Sequence, residues 1–215
     1  MQTSESFRLS ALLSISGGLQ DAYTYNIRGK VFANAQTGNV VLMSQNFMSG
    51  DFRRGLYYLC PLVAFSLGVF VTERIEHTFK ENKGIHWRQM VLAVEMIALA
   101  VVGFLPQELN LLANALVSFS CAMQVQAFRK VHGYGYASTM CIGNLRSGTE
   151  SLSQYLRTRD RVALRKALHF FGIILIFAIG AGLGGILSGV LGIRTIWISV
   201  AILLTVILMM AKENT

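Results

Sequence analysis

Asp21-Ala22-Tyr23 leading to Thr37-Gly38-Asn39, and Gln126-Ala127-Phe128 leading to Ile142-Gly143-Asn144, are two occurrences of one pattern. Ala22 and Ala127 stand 105 residues apart, and so do Gly38 and Gly143. In each copy an apolar run is interrupted by polar residues, and a short segment restarts at a Gly-Asn pair. A helix that starts there presents unpaired N–H groups and roughly half a positive charge, which in a dry site attract an anion or a carbonyl oxygen. Glycine at 38 and 143 would let backbone or ligand approach closely. The plain alternative is a turn between short helices, and recurrence at one offset favours a site.

Asp21 is the acid of the pattern. An acid within a spanning segment costs about 2.5–3.5 kcal/mol on insertion scales, so it faces a partner or a cavity. Arg28 and Arg129 are candidate partners, and bracing of a broken helix beside Gly17-Gly18 is the competing role. Asn34, Gln36, Ser138 and Thr139 place further polar groups beside the restarts. The expected solute-binding set is therefore Asp21, Asn34, Gln36, Thr37, Gly38, Asn39, Gln126, Ser138, Thr139, Gly143 and Asn144. Thr37 or Asn39 in the first copy, and Asn144 in the second, are candidate N-caps. Glu95 is either a proton-binding carboxylate or a hydrogen-bonding contact between helices.

Other chemistries lack their residues. No His, Cys and carboxylate cluster has metal-ligand spacing, and no nucleophile–base pair or H-E-x-x-H motif is present, so neither a metal, a cofactor nor an enzyme is expected. Cys60, Cys121 and Cys141 are odd in number, form no C-x-x-C pair and read as small buried hydrophobes.

The elements that must position these residues follow from composition. Of 215 residues 53% are hydrophobic and only 14% charged, with mean hydropathy +0.49, against about 25% charged in soluble domains. This is the balance of an integral membrane protein. The apolar runs are far longer than the strands of about 10 residues in a membrane barrel, so helices are expected. The net charge of +8 sits in short breaks between apolar runs without an RNA-binding motif, so topology rather than nucleic acid accounts for it. Arg8, the run from Leu9 to Leu19 and Ala33-Asn34-Ala35 imitate a cleaved leader, but Gln20 and Asp21 between them argue against cleavage.

Eight apolar segments divide into two sets of four: about 7–27, 31–48, 55–78 and 87–105, then 109–128, 131–155, 163–191 and 195–211. Six are long enough to span. The second and sixth are not: 31–36 and 136–141 hold β-branched, aromatic or small residues and read as extended backbone entering a half-helix. If these re-enter without crossing, each set has three spans, and the odd number inverts one set against the other. The expected fold is a single all-α membrane domain over 1–215, with about six transmembrane helices and two re-entrant extended-segment and half-helix elements. Two inverted three-span repeats, about 7–105 and 109–211, compose it.

With the N-terminus inside, the 73–88 loop, Arg129-Lys130 and Arg157-Thr158-Arg159-Asp160-Arg161 lie in the cytoplasm, as does the C-terminus with Lys212. Arg28, Lys30, Arg53 and Arg54 then lie outside, against the positive-inside trend; an eight-span layout is the alternative. Small residues four apart at Gly180/Gly184, Ala181/Gly185 and Gly185/Gly189 permit close helix packing, either within the chain or in a homodimer. Trp87 and Trp197, near segment ends, read as interfacial anchors.

Gly17-Gly18-x-x-Asp21-Ala22, the Phe32-Ala33-Asn34-Ala35-Gln36-Thr37-Gly38-Asn39 stretch, and Met123-Gln124 with Gly143-Asn144 resemble the YoaK-type, DUF1275 membrane proteins of bacteria. The resemblance covers nearly the whole chain. It implies a multi-pass protein of the bacterial cytoplasmic membrane with a role in transport, and supplies no substrate. The paired extended segments and half-helices also look like the core of larger nucleobase and sulfate transporters, an analogy of architecture. The expected function is movement of a small polar, anionic solute through a site between two half-helix ends, with the bilayer as its other partner. An anion channel and a structural or sensory membrane subunit are the alternatives.

Overall fold

The computed structural model describes residues 6–80, 86–131 and 134–212. Residues 81–85 of the expected 73–88 loop lie outside the described residues. Eight α-helices make up most of the described chain: α1 (Phe7–Ile27), α2 (Gln36–Met48), α3 (Phe52–Phe79), α4 (Trp87–Val102), α5 (Asn110–Ala127), α6 (Cys141–Thr158), α7 (Arg161–Leu191) and α8 (Ile196–Ala211). A short antiparallel pair, Lys130–Val131 with Tyr134–Gly135, follows α5.

Local chemistry fixes several starts. Ser6 caps α1 by accepting from the Leu9 N–H, Asp51 caps α3 from Arg54, and Asp160 caps α7 from Val162. The second and sixth segments divide as expected, with non-helical backbone before α2 and α6. Their helices begin at Gln36 and Cys141, ahead of the expected caps at Thr37 or Asn39 and at Asn144, and 105 residues apart.

Side-chain contacts show how the helices run. At one end of the bundle Phe7 meets His169 edge-on, Arg88 donates to the Ala127 carbonyl at 3.0 Å, and Arg129 pairs with Glu73 and Glu76. This end gathers the starts of α1, α4 and α7 with the ends of α3 and α5. At the opposite end Arg28 donates to the carbonyls of Val102 and Pro106, Tyr57 donates to that of Arg28, and Tyr23 donates to that of Ile193. From the interior α2 leads to this second end, where Phe47 fills the space beside Gly55. From the interior α6 leads to the first end, where Arg159 in the left-handed conformation and the Asp160 cap join it to α7. The two short helices thus run outward in opposite directions.

Packing crosses between the two halves of the chain. α1 packs against α7 and α5 against α3; α8 packs against α1 and α4 against α5; α4 and α8 touch each other. Exchanging the first four helices for the last four leaves this pattern of partners intact. Glycine makes the closest crossings possible. A Cβ on Gly18 would lie 2.1 Å from the Phe177 carbonyl oxygen, and one on Gly180 would lie 2.3 Å from that of Ile15. Gly180 and Gly184 are therefore used for packing within the chain.

The bundle buries polar side chains within an apolar core and exposes large apolar ones outside. Gln20, Asp21, Glu95, Asn114 and Gln124 are buried, whereas Ile97, Leu175, Ile186 and Val190 are exposed, the reverse of a soluble protein. By length and composition, α3 and the helical stretch Arg161–Ala211 are long and apolar enough to cross a membrane. The expectation of six such segments is not met by this measure. α4 and α8 have 16 residues each, about 24 Å against a hydrocarbon core of about 30 Å. In α1 the inward Ser10, Ser14, Ser16, Gln20 and Asp21 lower the hydropathy without touching the outer face. Trp87 is buried and Trp197 donates its indole N–H to the Ala100 carbonyl at 3.1 Å, so both are packing residues rather than anchors.

Candidate functional site

The starts of α2 and α6 open on one cavity of about 500 Å3. Asp21, Asn34, Gln36, Thr37 and Thr139 form its polar side, and Leu62 and Phe65 of α3 with Phe177 of α7 form an apolar wall. Met140, Cys141 and Ile142 complete it at the start of α6. Neither half-helix has a side-chain cap; in α2 the Gln36 and Gly38 N–H groups donate to the Asn34 and Ala35 carbonyls.

The first extended segment is strapped down by its own polar residues. Asp21 Oδ1 accepts from the Asn34 backbone N–H at 2.9 Å, Thr24 Oγ1 accepts from the Ala33 N–H, and Asn34 Nδ2 donates to the Gly17 carbonyl at 3.3 Å. From α5, Ser118 donates to the Ala33 carbonyl at 3.0 Å. The second segment is held by Gln124, whose Nε2 donates to Ser138 Oγ at 2.7 Å and to the Leu13 carbonyl at 3.2 Å.

Both segments meet α1 at one residue. Asn34 donates to the Gly17 carbonyl, while a Cβ on Gly17 would lie 2.6 Å from Thr139 Cγ2. Asn34 and Thr139 stand 105 residues apart. Both are buried cavity-lining residues, and Asn34 Oδ1 and Thr139 Oγ1 make no hydrogen bond. Buried polar atoms without partners are uncommon and costly, and Ser10, Ser14, Glu95 and Ser120 carry others elsewhere in the interior.

Other expected residues do different work. Asn39 and Asn144 are not N-caps: Ala35 and Met140 hold those positions, and Thr37 lies inside α2. Asn39 Nδ2 donates to the Phe32 carbonyl at 3.2 Å and to Gln36 Oε1 at 2.9 Å. Asn144 Nδ2 donates to the Ala137 carbonyl at 2.7 Å, while its oxygen accepts from the Ala137 N–H at 3.3 Å. Phe32 and Ala137 are themselves 105 residues apart, so each asparagine ties its half-helix back to its own extended segment. Gly38 and Gly143 have nothing within 4 Å of a built Cβ, so no close approach explains them. Ser138 lies behind the wall, and Gln126 donates to Glu73 at the first end, away from the cavity.

Neither proposed cation reaches Asp21. Arg129 pairs with Glu73 and Glu76. Arg28 is fully buried, giving its Nε proton to Tyr23 Oη at 2.8 Å and others to Val102 O, Pro106 O and Asn110 Oδ1. Behind the cavity Cys121 Sγ donates to Gln20 Oε1 at 3.0 Å, and the buried carboxyl of Glu95 lies beside Gln20. Leu62, Phe65 and Phe177 escaped notice in the sequence because they are apolar residues inside long apolar helices.

The profile of a family described as "Protein of unknown function (DUF1275)" matches residues 9–209, and the chain belongs to that family. It is 24% identical over 182 residues to UPF0700 transmembrane protein YoaK of Bacillus subtilis (strain 168), covering 80% of each chain. No solved structure matches. Family, all-α fold and apolar exterior together identify a helical membrane protein.

Proposed function

We propose that this DUF1275 protein carries a small anionic solute across the bacterial cytoplasmic membrane, through a site between the starts of α2 and α6. The carrying observation is one cavity lined from both halves of the chain, by Asp21, Asn34, Gln36 and Thr37 on one side and by Thr139, Cys141 and Ile142 on the other. Its volume of about 500 Å3 falls within the usual range for small-molecule sites, about 300–1,000 Å3. The uncapped start of α6 and the Thr139 hydroxyl supply donors for an anionic group. The wall of Leu62, Phe65 and Phe177 suits an apolar body attached to it. Asp21 and Asn34 shape the polar corner, Gln36 and Thr37 border it, and Gly38, Asn39, Ser138, Gly143 and Asn144 form its frame, while Gln126 lies outside it.

In this reading α1, α3, α4, α5, α7 and α8 cross and α2 and α6 re-enter, giving two inverted three-span repeats. The crossed packing and the opposite courses of α2 and α6 support it. The first end carries Arg129, Lys130, Arg157, Arg159 and Arg161, so it faces the cytoplasm, and α8 brings the C-terminus back to it. Burial of Arg28 removes it from the outward-facing surface charges, easing the conflict at the other end. Rocking of one part of the bundle against the other would expose the site to each side in turn.

Ligand thermal-shift measurements on purified protein with nitrate, thiocyanate, sulfate, benzoate and benzenesulfonate test the reading. Stabilisation by at least one anion, weakened in Thr139→Val, is expected; no stabilisation by any of them refutes it. Saturable uptake of that anion into proteoliposomes separates a carrier from a channel, which would give large electrical conductance.

A further inference from the structure

Asp21 puts a carboxyl on the wall of a cavity whose donors suit an anion. Resting on the function proposed above, we infer that the solute binds together with one proton held on Asp21, making the protein a proton–solute symporter. Among the described residues every carboxylate ion pair lies at the first end, on Glu73 and Glu76. Asp21 has no cation to keep it company there.

The groups facing it are few. Cys121 of α5 and Cys141 of α6 stand close enough to interact electrostatically with its carboxyl, and Glu95 of α4 lies beyond Cys121. The walls from α3 and α7 present Leu62, Phe65 and Phe177. An ionised Asp21 would repel an anion in this dry corner. Protonation removes that repulsion. The Asn34 side chain lies within hydrogen-bonding reach of the Asp21 carboxyl. The Asn34 backbone N–H meanwhile holds Asp21 Oδ1 at 2.9 Å, so the carboxyl keeps its place in either state.

Titration calorimetry with benzenesulfonate, run in buffers of different ionisation enthalpy, counts the protons taken up. This probe stays anionic throughout, so any proton bound sits on the protein. The wild type is expected to take up close to one proton per anion, with affinity falling about tenfold per pH unit where Asp21 is ionised. Asp21→Asn, whose side-chain oxygen still accepts from the Asn34 N–H, is expected to bind without proton uptake and without pH dependence. At a pH where affinity would fall tenfold per unit, binding by the wild type with no proton uptake and no pH dependence overturns the inference while leaving an anion site intact, a result that needs no variant. Uptake that persists in Asp21→Asn places the proton elsewhere and also overturns it. Failure of benzenesulfonate and the other anions to bind the wild type removes the site reading itself.

Discussion

Thr139→Val separates a ligand-binding hydroxyl from a structural one, because the two roles predict opposite signs. Thr139 Oγ1 is buried without a hydrogen bond, and the threonine methyl occupies the space beside Gly17. Valine keeps that methyl and replaces the orphaned hydroxyl with another. Leaving a buried polar group unsatisfied costs about 1–3 kcal/mol, so the variant should be as stable as the wild type or more stable by about 1 kcal/mol. Binding should move the other way. A hydrogen bond to a charged group contributes about 1.5–3 kcal/mol, so affinity for an anion should fall roughly 10- to 100-fold. Thermal denaturation without ligand and titration with the stabilising anion measure the two quantities on one preparation. Lower stability with unchanged affinity would show that Thr139 serves the fold, and the site assignment would be wrong.

Asn144→Ala removes both bonds to the Ala137 backbone and should cost about 1–3 kcal/mol in denaturation; weakened binding without loss of stability would contradict its assignment to the frame. Gly18→Ala should destabilise by about 1–3 kcal/mol or more through overpacking against the Phe177 carbonyl. Gly182→Ala, with nothing within 4 Å of its Cβ, should be neutral or stabilising by up to about 1 kcal/mol, and equal melting temperatures for the two variants would refute the glycine seam. His86 caps α4 by accepting the Arg88 N–H on Nδ1, and burial, followed by the Arg88 charge, pushes its pKa below the usual 6.5. The folded state thus favours the neutral ring: the cap's contribution is complete above about pH 6.5 and is lost as pH falls through the lower folded value. His86→Asn should abolish the corresponding part of the acid-side fall in melting temperature, about 0.5 kcal/mol, and an identical pH profile would refute it.

Much of this architecture was legible because interruptions in an apolar chain are conspicuous. Weak helix formers at 31–36 and 136–141 mark non-helical backbone before two short helices, although both helices begin ahead of the expected caps. The cavity was legible only on its polar side. Asp21, Asn34, Gln36, Thr37 and Thr139 were accessible to pattern reading, whereas Leu62, Phe65 and Phe177 face the site through tertiary packing that no local signal announces. The repeated Gly-Asn pairs drew attention one turn too far along. Asparagine recurs there to hold a bend, and the groups left free are the preceding residues at 34 and 139. Arg28 was misread for a related reason: its charge suggested an acid partner, but backbone carbonyls at a helix junction satisfy a guanidinium without one.

The departure from exact repetition carries functional meaning. α5 ends at Ala127, immediately after Gln126, and Gln126 is drawn to Glu73 at the first end. α1 continues past Asp21 to Ile27, which keeps Asp21 in the interior beside Asn34. A strictly symmetric pair would set two carboxyls on one small cavity, where like charges could not both ionise. In the proposed site the first half supplies the one acid, Asp21, and the second half supplies none. A Gln126→Asp substitution separates place from residue type: position 126 lies outside the cavity lining, so the variant should still take up one proton per bound anion. Two protons per anion would mean that residue 126 reaches the site, and the asymmetry argued here would fail.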